Sequence, residues 1–286
     1  MLDFAPMLSD YHLHLRPDEL DATAERYFTA ANVERYRAAA EEQGVSELGV
    51  SEHVYRFTAA LDVWRHPLWR EFAHDDLDEY CAFVREQADL RLGIEADFIP
   101  GGEDRMATLL EARDFDYVVG SVHFLGDHAL DMDDYDVWTS GRSPEQIWRA
   151  YFLALGEAAR SGLFDILAHP DLVKVWGAGR RPLPDGDPRR FYELAMDGIA
   201  ESGIAIEVST AGLRKGAGEI YPAPAFLEMS LEAGAPIALS SDAHRPGDVG
   251  ADYERALELL DSLGVRELCA FERRERRLQP IGAAIA

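Results

Sequence analysis

The chain has only two cysteines in 286 residues, Cys81 and Cys269, far apart and outside any CxxC pair. That scarcity argues against a disulfide framework and against a thiolate zinc site. Basic residues are also in short supply: 28 Lys and Arg face 53 Asp and Glu, for a formal net charge of −25. So acidic a chain repels polyanions at long range, so neither nucleic-acid backbone nor an anionic membrane is an expected partner. No apolar run approaches the roughly 18 residues of a membrane span. The opening residues, MLDFAPMLSDYH, carry neither a basic nor an apolar leader region, so no secretory signal is expected. The early strand–helix turns contain no GxGxxG and no GxxxxGK[ST], the two commonest phosphate-cradling motifs of nucleotide sites. What is present is a hydrophobic content of 47%, too high for a disordered acidic chain and sufficient for a sizeable core. These features predict a reduced, soluble, cytoplasmic globular protein.

Short β-rich apolar runs alternate with stretches of helical period. The spacing predicts strands over residues 8–14, 47–53, 91–98, 117–124, 165–169, 204–209 and 236–241. Helices are predicted over 18–43, 75–88, 104–112, 143–161, 188–202, 224–233 and 252–263. Ser143-Pro144-Glu145-Gln146 combines a capping serine, a first-turn proline and a glutamine three residues on, which marks one helix start. Glycines 44, 162, 203, 234 and 264 stand just past helix ends. Seven strand–helix repeats argue for a parallel sheet, open or closed into a barrel. No linker divides the chain, so a single domain over 1–286 is expected. Two irregular excursions interrupt it: 54–74, rich in aromatic residues, and 126–142, with Asp127, Asp131, Asp133, Asp134 and Asp136. The basic run 273–277 reads as a solvated terminal face.

Of the nine histidines, six fall at predicted strand ends or just beyond them. His12 and His14 close the first strand, His53 the second, His123 the fourth and His169 the fifth. Glu95 lies near the end of the third strand, and Asp242 and His244 follow the seventh. The C-terminal rim of a parallel sheet is where ligands and catalytic groups collect. Residues two apart on a strand face the same side, so His12 and His14 can aim at one ion, and Asp242 with His244 can do the same. Imidazole and carboxylate together suit zinc, iron or manganese. Six histidines, one glutamate and one aspartate exceed the needs of one tetrahedral ion, which points to two or three divalent ions. His66, His74 and His128, in the excursions, are expected at the surface. Glu207, at the sixth strand end, fits a site role and a structural role equally.

The ordered segments DYHLHL (10–15), GVSEH (49–53), GIEADF (93–98), GSVHFL (120–125), ILAHPDLVK (166–174) and SSDAH (240–244) resemble the PHP (polymerase and histidinol phosphatase) superfamily of metal-dependent phosphoesterases. Within it, GSVHFL, HPDLVK and STAGLRK (209–215) followed by IYP (220–222) are most similar to the monofunctional histidinol-phosphatases. The resemblance implies an α/β fold, a distorted seven-stranded (β/α) barrel with its metal site at the C-terminal strand ends. It implies that His12, His14, Glu95 and Asp242 hold one ion, Glu95, His123 and His169 a second, and His53 with His244 a third. Where the family usually has a further histidine soon after HxH, this chain has LRPDELD. Either Asp18, Glu19 or Glu25 takes its place, or the third ion site is weak or empty.

The activity implied is hydrolysis of a small phosphate ester, L-histidinol phosphate, by water that the ions activate for in-line attack on phosphorus. Arg214, Lys215 and Lys174 are the candidates for gripping the phosphate, and Asp242 or His244 for protonating the leaving alkoxide. The acidic, aromatic excursions could receive the cationic end of such a substrate or simply cover the barrel. Two alternatives differ in kind: a phosphoesterase for another small metabolite or a nucleotide, and a non-catalytic, metal-stabilised scaffold.

Overall fold

The computed structural model describes residues 7–281. Seven parallel strands pair in strict sequence order. They are β1 (Ser9–Asp10), β2 (Glu47–Val50), β3 (Leu90–Asp97), β4 (Tyr117–Ser121), β5 (Ile166–Leu167), β6 (Ala205–Ser209) and β7 (Ile237–Ser240). The ring is almost closed: beyond β1 and β7, Leu13 pairs in parallel with Ala243, and the His14 N–H donates to the Ala243 carbonyl at 2.7 Å. Sequential order with helical crossovers is the arrangement the strand–helix repeat demands, and the expected distorted barrel is what forms.

Apart from β3, which keeps its eight residues, the strands are shorter than their sequence signatures, with β1 and β5 keeping two residues each. The apolar runs continue past the last ladder bond because the chain turns at the rim. His169 (φ +24°) and Asp242 (φ +51°) both sit in the left-handed region, a conformation that costs non-glycine residues of order 1–3 kcal/mol and collects at functional sites.

Around the barrel run α1 (Ala24–Tyr27), α2 (Ala30–Glu42), α3 (Pro67–Phe72), α4 (Leu77–Glu86), α5 (Glu103–Glu111), α6 (Pro144–Arg160), α7 (Arg189–Ser202), α8 (Pro224–Glu232) and α9 (Tyr253–Ser262). None of the described helices is long and apolar enough to cross a membrane. The capping box at Ser143 and Gln146 forms as the sequence predicts, with both reciprocal bonds in place. The single helix expected over 18–43 does not form. Arg16 is buried and paired with Glu52 at 2.9 Å and Asp75 at 2.6 Å, which ties the chain after β1 to the barrel. The Asn32 amide donates to the Leu15 and Tyr27 carbonyls at 2.7 and 3.0 Å, and Thr29 caps a new helix start at α2. Residues 18–23 are thereby left free of helix at the rim.

His66 corrects another expectation. It is buried, its ring stacks on Trp64 with centroids 4.4 Å apart, and its Nδ1 caps α3 by accepting from the Leu68 N–H. His74 is exposed and His128 half-buried.

The run 273–277 is the turn and second arm of an antiparallel hairpin, β8 (Glu267–Glu272) with β9 (Glu275–Pro280), that the sequence reading did not anticipate. Arg273 through Arg276 are exposed, while Phe271 inserts into the N-terminal end of the barrel. Its ring meets Tyr11 at 5.6 Å and Tyr117 at 6.2 Å between centroids. Tyr117 in turn fills space that Gly93 leaves: a Cβ there would lie 2.2 Å from the Tyr117 Cζ. The glycine that opens the GIEADF motif is thus required by close packing inside the barrel.

Candidate metal centre

The rim groups converge on one carboxylate. Glu95, on β3, lies in register with His53, so the two meet directly across adjacent strands. Oxygen Oε2 of Glu95 lies 2.5 Å from His53 Nδ1, 3.2 Å from His12 Nε2 and 3.5 Å from His14 Nε2. Oxygen Oε1 lies 3.1 Å from His169 Nε2 and 3.4 Å from His123 Nε2. Each oxygen therefore faces its own set of imidazoles, the arrangement a bridging carboxylate needs. Asp242 Oδ1 stands 3.7 Å from His12 Nε2 and 3.6 Å from His14 Nε2.

Among the described residues, three sets of donor atoms are close enough to share an ion: His12, Glu95 and His169; His12, His14 and Asp242; and His14, His53 and His244. The rings of His53 and His244 both stack on His14 at 4.2 Å between centroids. His14 thus stands between two of these sets. Where the sequence left Asp18, Glu19 and Glu25 open, only Asp18 reaches the cluster. Its carboxylate lies 3.3 Å from His53 Nε2 and 2.9 Å from His244 Nε2. The break in the predicted helix is what releases Asp18 to the rim.

The electrostatics are those of carboxylates and imidazoles packed together away from water. Burial opposes charge on every group, and mutual attraction reverses the outcome for most of them. His53 rises to about 10 through Glu95 and Asp18 despite its burial, and His123 to about 9 through Asp97 and Glu95. Burial would lift Glu95 and Asp242, yet the surrounding histidines hold both well below the usual carboxylate range. His14 moves the opposite way, pushed well below the ordinary imidazole value by burial and by His53 and His244.

Divalent ions fit this donor set. The buried atoms His12 Nε2, His14 Nε2, His244 Nε2 and Glu95 Oε2 form no hydrogen bond with any described residue, although buried polar atoms are normally paired. All four belong to the cluster. Behind them stand carboxylates that fix ring orientation, the usual support of metal-ligating histidines. Glu207 Oε1 lies 2.8 Å from His12 Nδ1 and accepts from the Ser240 hydroxyl at 2.6 Å, and its Oε2 accepts from the His169 N–H. Asp97 lies 2.8 Å from His123 Nδ1. Sequence alone does not decide the role of Glu207, and Asp97 was not among the expected site residues. A usable signal existed, since Asp97 follows Glu95 by two on one strand and so faces the same side.

A cavity of about 490 Å³ opens over the cluster, bordered by His53, His123, His169, Asp242 and His244. Of the three cations proposed from sequence, Lys215 lines it; Lys174 and Arg214 do not. Lys174 is buried between Asp171 at 2.6 Å and Glu219 at 2.8 Å. The Arg214 guanidinium donates to the Ser241 carbonyl and approaches Asp248 at 3.8 Å. Asp171 lies three residues before Lys174 in the same HPDLVK segment, whereas Glu219, Ser241 and Asp248 are brought to the two cations from other loops.

Comparison with known proteins agrees with this geometry. The PHP domain model matches residues 25–211. A probable histidinol-phosphatase of Deinococcus radiodurans is 36% identical over 253 residues, covering 86% of this chain and 91% of its own length. The histidinol-phosphatase of Bacillus subtilis is 29% identical over 188 residues, 61% of this chain and 70% of that protein. In three dimensions the fold is shared with a histidinol phosphate phosphatase from Lactococcus lactis, crystallised with zinc, L-histidinol and phosphate. That match has a TM-score of 0.72 at 19% identity and covers 96% of this chain and all of that one (100%). A putative histidinol phosphatase from Listeria monocytogenes matches with a TM-score of 0.71 at 21% identity, covering 86% of this chain and 99% of that one. On the matched length and the identity to its relatives, this chain belongs to the PHP family.

Proposed function

We infer that the chain is a metal-dependent phosphomonoesterase, one PHP-type domain that hydrolyses L-histidinol phosphate to L-histidinol and phosphate in histidine biosynthesis. The observation that carries this reading is the convergence of five imidazoles on the two oxygens of Glu95, beneath a cavity large enough for a small ester. The 36% identity to a probable histidinol-phosphatase supports the substrate. A cytoplasmic location belongs to the same reading, as do zinc, iron or manganese as the ions.

His12, His14, His53, Glu95, His123, His169, Asp242 and His244 are the assigned ligands, with Asp18 completing the set beside His53 and His244. Two or three divalent ions held there would supply Lewis acidity and a lowered water pKa, one route to phosphoester hydrolysis at neutral pH. Glu207 and Asp97 keep the rings of His12 and His123 aimed inward. Lys215, one of only two lysines in the chain, offers its ammonium to the phosphate oxygens from the cavity wall. Proton return to the leaving alkoxide falls to Asp242 or His244, both of which border the cavity. The surplus of carboxylates around the mouth disfavours a nucleotide, whose further phosphates would meet like charge.

The test is turnover of L-histidinol phosphate by purified protein, with metal analysis of the same sample. Efficient hydrolysis that a chelator abolishes and added zinc, manganese or iron restores is the expected result. A metal-replete protein that hydrolyses other phosphomonoesters well but ignores this one would overturn the substrate assignment.

A further inference from the structure

The acidic excursion over residues 126–142 is not uniform, and its pairing singles out one aspartate. Asp133 accepts both of its bonds from Arg180 at 2.6 and 2.7 Å, and Arg180 also lies over the Trp176 ring at 3.8 Å. Asp136 is buried, caps the turn at Trp138 and is paired with Arg181. Asp127 lies elsewhere, its carbonyl facing His66. Asp134 and Glu71 border the cavity but are exposed, where water screens them. Asp131 remains. It lines the cavity, and its Oδ1 is buried with no hydrogen-bond partner among the described residues.

Its backbone is held in place from two sides. The Leu130 N–H donates to the His123 carbonyl at 2.8 Å, and the Trp176 indole N–H donates to the Leu130 carbonyl at 2.8 Å. Asp131 therefore follows directly on a residue clamped between the metal cluster and an aromatic wall. Its charge bears on the ionisation of His123, Tyr55 and Tyr221, which line the same cavity. A buried carboxylate oxygen left without a donor is costly, and a cationic N–H is the partner that relieves it most.

We propose that Asp131 is the specificity-determining residue that receives the α-ammonium of the substrate. This rests on the reading of the cavity as the L-histidinol phosphate site. In that molecule the ammonium-bearing carbon is joined to the ester oxygen through one methylene, so the cation must sit close to the phosphate and hence close to the cluster. The imidazole then extends outward between Trp176 and Phe72, which border the same cavity. The exposed Asp134 and Glu71 draw the cation in; Asp131 holds it.

The test is Asp131→Asn, which keeps shape and removes charge. Wild-type turnover of L-histidinol phosphate is measured first, because its absence would refute the activity and not this assignment. Given that turnover, the expected change in the variant is a fall of about tenfold or more in the ratio of kcat/KM for L-histidinol phosphate to that for phenyl phosphate, the size of one charge-assisted hydrogen bond. The loss should appear mainly in KM, with the inhibition constant of the product L-histidinol rising by a similar factor. A ratio that stays within about threefold overturns the assignment, since that is less than the weakest charge-assisted bond. Should the asparagine variant not fold, Asp131→Ser takes its place under the same criterion. Independently, wild-type enzyme should prefer L-histidinol phosphate to the same ester lacking its amine by about tenfold or more; equal use of the two would also overturn it.

Discussion

At the N-terminal end of the barrel, Glu47 accepts from the Tyr11 hydroxyl and from Arg91, and Asp116 accepts from Arg85 and from the N–H groups of Leu92 and Arg273. At the C-terminal end, buried nitrogens of His12, His14 and His244 and an oxygen of Glu95 form no hydrogen bond with any described residue. The same side-chain chemistry serves two purposes. At the closed end each carboxylate is consumed by arginines and backbone amides, and Phe271 with the two tyrosines seals the space between them. At the open end carboxylates hold the outer nitrogens of His12 and His123, while inward-facing donor atoms make no hydrogen bond and stay available to something the protein does not itself supply. Such a division between a stabilising face and a reactive face is the general rule for parallel barrels.

The largest effect is expected at the open end. Glu95→Gln should lower kcat/KM about a thousandfold, comparable to losing a principal electrostatic group from an active site, and should reduce the metal content of the purified protein. Full activity with full metal content would remove Glu95 from the centre. At the closed end, Phe271→Ala should cost about 3–5 kcal/mol of folding stability, read by urea denaturation, while the folded protein keeps its metal stoichiometry. Loss of metal from a variant that is still folded would show that the two ends are not independent. The smallest change is expected for Asp97→Asn, which leaves every ligand in place and disturbs only the bond to His123 Nδ1. Metal affinity by chelator competition should weaken about 10–100-fold, with little change in the denaturation midpoint of the metal-free protein.

Much of the open end was legible in the sequence. Histidines recurring where β-rich runs stop have a simple cause, since parallel strands all deliver their C-terminal residues to one rim. The closed end was largely illegible. The hairpin of β8 and β9 hides beneath a basic run whose exposed arginines mask the buried Leu268, Cys269, Ala270 and Phe271 beside it. Asp18 was one of three acidic residues in a stretch of apparent helical period, and only the anchoring of Arg16 and Asn32 decides which reaches the site. His66 was misjudged because a capping role depends on where α3 starts, a boundary that composition does not mark. Lys174 and Arg214 stand near the rim, as their positions imply, but spend their charge on the neighbouring Asp171 and on partners brought in by tertiary contacts. Local pattern thus reveals which groups gather; which of them remain unpaired is decided by the rest of the chain.

The join between the first and last strands has one further consequence. It is held by the short pairing of Leu13 with Ala243, and directly beside it stand His12 and His14 from one side and Asp242 and His244 from the other. Any ion gripped by both pairs would act as a cross-link between the two extremes of the sequence. Such an ion binds only once the ring has come round, so its binding energy adds to the stability of the closed form alone. The reactive end would then also be the clasp that keeps the barrel shut.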